Sequence, residues 1–214
     1  MPTSLYDSSA KATKPARPET SVVTGTVVNN VDVLVQGKVL VRVPSLDQEL
    51  WARLASPGAG NGAGVFYTPR VDDEVLLALN GNDPVDAFII GGLWSTQDSP
   101  PVSTPIDVVS KRIIKTGLKG GIGHEVEFDD GPGQSVTITT TTKQKIALDP
   151  KKIEISTTGG QVKITLDMTT QAITIEALNS ITLSAQASLT LEAGEISIKS
   201  KGRTTISGAM VMIN

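Results

Sequence analysis

Apolar residues two positions apart, repeated in short units, dominate the last eighty residues of this 214-residue chain. The pairs are Val136/Ile138, Ile146/Leu148, Ile153/Ile155, the triplet Val162/Ile164/Leu166, then Ile173/Ile175, Ile181/Leu183, Leu189/Leu191, Ile196/Ile198, Ile206 and Val211/Ile213. Thr, Ser, Glu and Lys fill the positions between them. Period two is the signature of a strand with one buried face. From Ile173 to Ile213 the units recur every seven or eight residues, and Gly194, Gly202 and Gly208 fall at the turns. A fixed recurrence of this kind marks a solenoid-like repeat.

The side chains available limit what such strands can enclose. Only seven aromatics occur in the chain, about 3% of its residues, and six of them lie before residue 95. A one-chain β-helix needs a wider interior than two or three Ile, Leu or Val per unit can fill. Three chains wound together solve this: each supplies one wall of a triangular prism, and the aliphatic residues meet on a narrow threefold axis. Ladder edges then pair with other chains, so none stays open. With eight to ten strands at about 4.8 Å per layer, the shaft is about 40–50 Å long. An ordinary antiparallel sandwich fits the alternation but not the even spacing or the lack of aromatics.

Before residue 95 the pattern is different. SVVTGTVV, VDVLVQGKVLVRVP, ELWARLAS, EVLLALN and DAFIIGGLW read as five short strands, with turns at Asn29-Asn30, Gly81-Asn82-Asp83-Pro84 and Gly91-Gly92. Gly37 marks a bulge or hairpin. Five strands in about 75 residues without helical periodicity fit a small closed β-barrel. Residues 1–20, with Pro15 and Pro18, read as a flexible arm. Pro100, Pro101 and Pro105 mark residues 96–110 as a stiff linker, since proline fixes φ and interrupts both helix and ladder. Residues 111–214 read as the β-helical region, opening with a hairpin around His124-Glu125-Val126-Glu127-Phe128.

The same residues argue against most chemistry. There is no Cys and one His, which removes thiolate chemistry and poly-His metal sites within a chain. His124 lacks a partner set by sequence; Asp72-Asp73-Glu74 and Asp129-Asp130 read as solvated turn acids rather than a glycosidase pair. The Gly58–Gly64 loop lacks the Lys-Ser/Thr of a phosphate cradle. Trp51 and Trp94 read as barrel-core or rim residues. No metal, cofactor or catalytic residue is assigned. Net charge is −3, with no basic face and no aromatic platform after Phe128, so nucleic acid is not expected as a partner. No apolar run reaches the length of a spanning helix, and the first twenty residues carry no apolar core of a secretory signal.

One family matches these features in order. Trp51-Ala52-Arg53-Leu54-Ala55, Ala59-Gly60-Asn61-Gly62, Pro69-Arg70-Val71, Asp73-Glu74-Val75-Leu76 and Ile90-Gly91-Gly92-Leu93-Trp94 strongly resemble the OB-fold domain of spike proteins from contractile injection machines: phage baseplate spikes (baseplate assembly protein V), VgrG proteins of type VI secretion, and extracellular contractile particles. Gly123–Asp130 resembles the passage from barrel to needle, and the ITIEA, ITLSA and LTLEA units resemble the needle. The resemblance implies an all-β chain: an OB-fold barrel over 21–95, then a trimeric intertwined triple-stranded β-helix with Ile164, Leu166, Ile173, Ile175, Ile181, Leu183, Leu189, Leu191, Ile196 and Ile198 in the trimer core. It implies a non-enzymatic homotrimeric spike in a phage-tail-like particle, which pierces a target membrane when the sheath contracts. Twenty residues before the barrel leave no room for the hub domains fused in VgrG proteins, so a separate hub protein is the expected partner. The resemblance also implies a PAAR-type tip protein docked on Met210, Val211, Met212, Ile213 and Asn214. The competing reading is a trimeric β-helical tail-fibre-like protein that binds or cleaves surface polysaccharide.

Overall fold

The computed structural model describes residues 21–81, 83–117 and 123–213. The arm over 1–20 and tip residue Asn214 lie outside these. Two β units follow one another along the chain.

The first is a closed barrel of β1 (Ser21–Asn29), β2 (Lys38–Val43), β3 (Gln48–Leu54), β6 (Glu74–Asn80) and β7 (Asp83–Gly92), in the order β1-β2-β3-β7-β6. All its pairings are antiparallel except β3 with β7, where Arg53 faces Phe88 and Leu54 faces Ile89. A small five-stranded closed barrel with this arrangement is consistent with an OB-fold. Alternation sets its interior: Val39, Val41 and Val43 on β2 and Val75, Leu77 and Leu79 on β6 are buried, with Val27, Leu50, Ala52, Ala87 and Ile89. Gly25 is the close approach inside it, since a Cβ there would lie 2.6 Å from Val41 Cγ1 and 2.8 Å from the Arg42 carbonyl. Leu50 and Ala52 point inward, so the intervening Trp51 points out; Trp94 is also exposed, and neither tryptophan is in the core.

Short departures from the sequence expectation have local causes. The long loop after β3 contains a small hairpin, β4 (Ala59–Gly60) with β5 (Ala63–Gly64). Gly91-Gly92 is not a turn; both pair with β6, beside a register shift between Leu76 and Leu77. The linker is not free of helix. α1 (Pro105–Ser110) starts with Pro105, and Thr104 caps it by accepting from the Asp107 N–H. Proline at a first helical position loses no hydrogen bond, because that N–H has no helical partner.

The second unit is one seven-stranded sheet: β8 (Lys111–Lys115), β9 (Glu125–Asp129), β10 (Ser135–Thr139), β11 (Lys145–Leu148), β12 (Lys152–Ser156), β13 (Val162–Asp167) and β14 (Ala172–Ala177), each paired antiparallel with the next. Over 111–177, then, ladder partners are strands of the same chain, and not strands of other copies as the spacing suggested. Tight turns make this possible. Residues 178–213 form no helix or strand and are exposed.

Barrel and sheet meet through the loop after β3, where the Tyr67 hydroxyl donates to the Lys115 carbonyl at 3.0 Å.

Candidate assembly surface

The sheet register sorts its side chains into two chemically opposite faces. Across the strands one column reads Ile114, Val126, Ile138, Ile146, Ile155, Ile164 and Ile175, each directly opposite the next. A second column reads Phe128, Val136, Leu148, Ile153, Leu166 and Ile173, with Arg112 at its start. Period two in each strand, held in exact register by the hairpins, produces these columns.

The other face is polar. Lys111 pairs with Glu127 at 3.3 Å, Lys115 with Glu125 at 2.9 Å, and Glu154 with Lys152 and Lys163 at 3.0 and 3.6 Å. The hydrogen bond from Lys152 holds the Glu154 carboxyl below the usual carboxylate range, and that to Glu127 raises the Lys111 ammonium. Both faces therefore have their chemistry decided, but only one is satisfied.

Among the described residues, nothing covers the aliphatic face. Among the described residues the fully buried hydrophobics all belong to the barrel. Ile173 is 72% exposed, Ile114 60% and Ile175 50%. Single apolar residues on a surface are ordinary, but two continuous columns across seven strands mark an interaction surface.

Of the residues expected in a trimer core, Ile164 and Leu166 lie on β13 and Ile173 and Ile175 on β14, all on this face. Ile181, Leu183, Leu189, Leu191, Ile196 and Ile198 lie in the segment after β14, outside any strand and exposed. Met210, Val211, Met212 and Ile213 are exposed near the end of that segment. Ile114, Val126 and Phe128 extend the same face ahead of residue 136. Their alternation was visible in the sequence, but the Gly-rich stretch before His124 separates it from the main repeat.

The turns at the two sides of the sheet use different capping groups. On one side, Asp129 accepts from the Gly131 N–H at 2.8 Å, Asp149 from Lys151 and Lys152 at 2.8 and 2.9 Å, and Asp167 from Thr169 and Thr170 at 2.8 and 3.0 Å. These backbone donors hold the Asp149 and Asp167 carboxyls below their ordinary range. On the other side, Thr116, Thr140 and Thr157 hydroxyls accept from the N–H groups of His124, Gln144 and Val162 at 3.0, 3.1 and 3.1 Å.

The residues weighed for chemistry have structural partners. Asp73 accepts from the Arg70 N–H at 2.8 Å, Asp129 closes its own turn, and His124 is joined to Thr116 through its backbone. Ser56 ties the Gly-rich hairpin by donating to the carbonyls of Gly58 and Val65 at 2.9 and 2.6 Å. Among the described residues no group of three or more His, Cys, Asp or Glu is placed to hold a metal, and no helix is long and apolar enough to cross a membrane.

Comparison with known proteins agrees with the barrel. Residues 23–94 match the family of the type VI secretion system/phage-baseplate injector OB domain. The type VI secretion system spike protein VgrG3 of Vibrio cholerae is 29% identical over 99 residues, 46% of this chain and 10% of the relative. VgrG4b of Pseudomonas aeruginosa, a spike protein of the same system, is 32% identical over 85 residues, 39% of this chain and 10% of the relative. The actin cross-linking toxin VgrG1 of Vibrio cholerae is 28% identical over 85 residues, 39% of this chain and 8% of the relative. These matches span about a tenth of the length of those relatives. Over its barrel the chain is similar to the type VI secretion system/phage-baseplate injector OB domain and to VgrG spike proteins.

Proposed function

We propose that three copies of this chain form the central spike of a contractile injection apparatus. The uncovered aliphatic face of the seven-stranded sheet carries this reading. Three such faces, turned toward one axis, bury both columns of Ile, Leu and Val and leave the Lys–Glu face in water. Seven strands at about 4.8 Å give a stack about 29 Å deep. Residues 178–213 continue the shaft: alone they have no ladder partner, whereas winding three copies together supplies one to each. The inward residues there are Ile181, Leu183, Leu189, Leu191, Ile196 and Ile198.

The role is mechanical and non-enzymatic. Barrels mount the spike on a hub protein and the shaft points outward. In the barrel, the entry at Ser21 and the β2–β3 turn lie at the end away from the sheet, because β1 runs antiparallel to β6 and the chain leaves β7 beside the start of β6. The hub contact is assigned to that end. Sheath contraction drives the shaft through the target membrane, and a PAAR-type protein caps Met210–Asn214.

Light scattering on the purified chain tests the reading. A trimer that persists in mild detergent at room temperature is the expected result. A monomer at micromolar concentration overturns it.

A further inference from the structure

We propose that, within the three-copy spike inferred above, the two sides of each sheet dock on each other across chains, the Asp-turn side of one copy against the Thr-turn side of the next. The inference rests on that reading and adds which residues of the second copy meet which residues of the first.

Three walls around an axis have three corners. If strands lie across the axis, their ends and turns lie at the corners. Threefold rotation then brings one side of a wall against the opposite side of its neighbour, so each contact is heterologous and joins two different edges. The two edges of this sheet differ in capping chemistry and also in charge.

At the level of β11, one edge carries Lys145 and the other Asp149. At the level of β13, Lys163 lies near the first edge and Asp167 ends the second. Lys145 and Lys163 therefore meet Asp149 and Asp167, while Lys151 and Lys152 lie between those levels on the Asp edge. At β9 both ends are acidic, but Glu125 has Lys115 at 2.9 Å, and Asp129 has Lys111 opposite it on β8.

The turns also fit in height. Asp turns join β9 to β10, β11 to β12 and β13 to β14; Thr turns join β8 to β9, β10 to β11 and β12 to β13. On adjacent copies at equal height the two sets alternate, so each turn enters the gap between two turns of its neighbour. The corner then acts as a zipper and keeps the walls in vertical register.

The chain has no cysteine, so paired substitutions read this contact without background. Lys145→Cys and Lys151→Cys place thiols on opposite edges at nearly one level, and both native side chains are exposed. Neither change removes the Asp149 carboxylate that closes the turn. Within one chain the two sites are separated by the length of β11, at least roughly 13 Å, beyond a disulfide. The full-length double variant is expected to form a covalent trimer under mild oxidation or with a short bismaleimide, while each single variant yields only uncrosslinked chains. Covalent dimers from either single variant would overturn the edge assignment, since like edges would then be meeting. So would a double variant that scatters as a trimer yet fails to cross-link. A wild-type chain that scatters as a monomer removes the three-copy reading itself, and the two failures are thus distinguished.

Discussion

The barrel and the sheet use the same residues, mainly Val, Ile and Leu at period two, with opposite outcomes. In the barrel, five strands close on themselves, and alternation delivers Val39, Val41, Val43, Val75 and Leu77 to an interior with no measurable exposure. In the sheet, seven strands stay in one layer, and alternation delivers thirteen aliphatic and aromatic side chains to a face that none of the described residues covers. A closed sheet folds its own apolar face inward. An open sheet needs a second layer, and the described residues supply none. The barrel is thus a self-sufficient unit, and in the proposed spike the sheet is one wall of a larger one.

Charge on the axis should separate the two most strongly. Ile164→Asp places a carboxylate on the aliphatic face, and three of them in the assembled spike, with no partner for any. Loss of the trimer in light scattering is expected, with the barrel still folded by circular dichroism. A trimer of normal stability would show that Ile164 faces outward.

Leu77→Ala cuts the other way. It leaves a cavity among fully buried side chains and should cost about 2–5 kcal/mol of barrel stability. Chemical denaturation followed at Trp51 and Trp94 reads the barrel. The oligomeric state should not change, and dissociation would mean that the barrels, not the sheets, hold the copies together.

The contact between the units predicts a smaller effect. Tyr67→Phe removes the hydrogen bond to the Lys115 carbonyl, worth about 0.5–1.5 kcal/mol at most on an exposed surface. Faster amide exchange in β8 with unchanged exchange in β6 is the expected sign; equal exchange in both variants would show that this bond does not couple them.

The smallest effect concerns the β1–β2 loop. Asp32 accepts from the N–H groups of Leu34, Gln36 and Lys38, at 3.2, 2.6 and 3.0 Å. The Lys38 backbone donor contributes most to holding its carboxyl below the usual range. Its contribution is therefore complete above the ordinary carboxylate value and is lost as pH falls through the lowered one. Below about pH 4 the loop should loosen before the barrel opens, and Asp32→Asn should show the same loosening at neutral pH. Amide exchange at Leu34 and Gln36 measures both.

Much of the architecture could be read from residue order. Four of the five barrel strands fall close to where alternation and turn residues put them; the second begins only at Lys38, because the alternating VDVLVQ ahead of Gly37 is loop. Val136/Ile138 through Ile173/Ile175 share one face, as their spacing implies. Local chemistry hid the rest. Pro105 reads as a breaker until Thr104 is seen as a cap. Gly91-Gly92 reads as a turn, although the strand continues through it. Trp51 reads as core or rim, and only the inward positions of its neighbours Leu50 and Ala52 exclude the core.

By itself the sequence determined strands, periodicity, the absence of aromatic bulk in the second half and the family of the barrel, because each depends on short-range order along the chain. Only the tertiary structure decided that residues 111–177 pair within one chain, with Asp turns on one side and Thr turns on the other. Strand pairing depends on which hairpins close, and alternation is the same whether a strand's neighbour belongs to its own chain or to another.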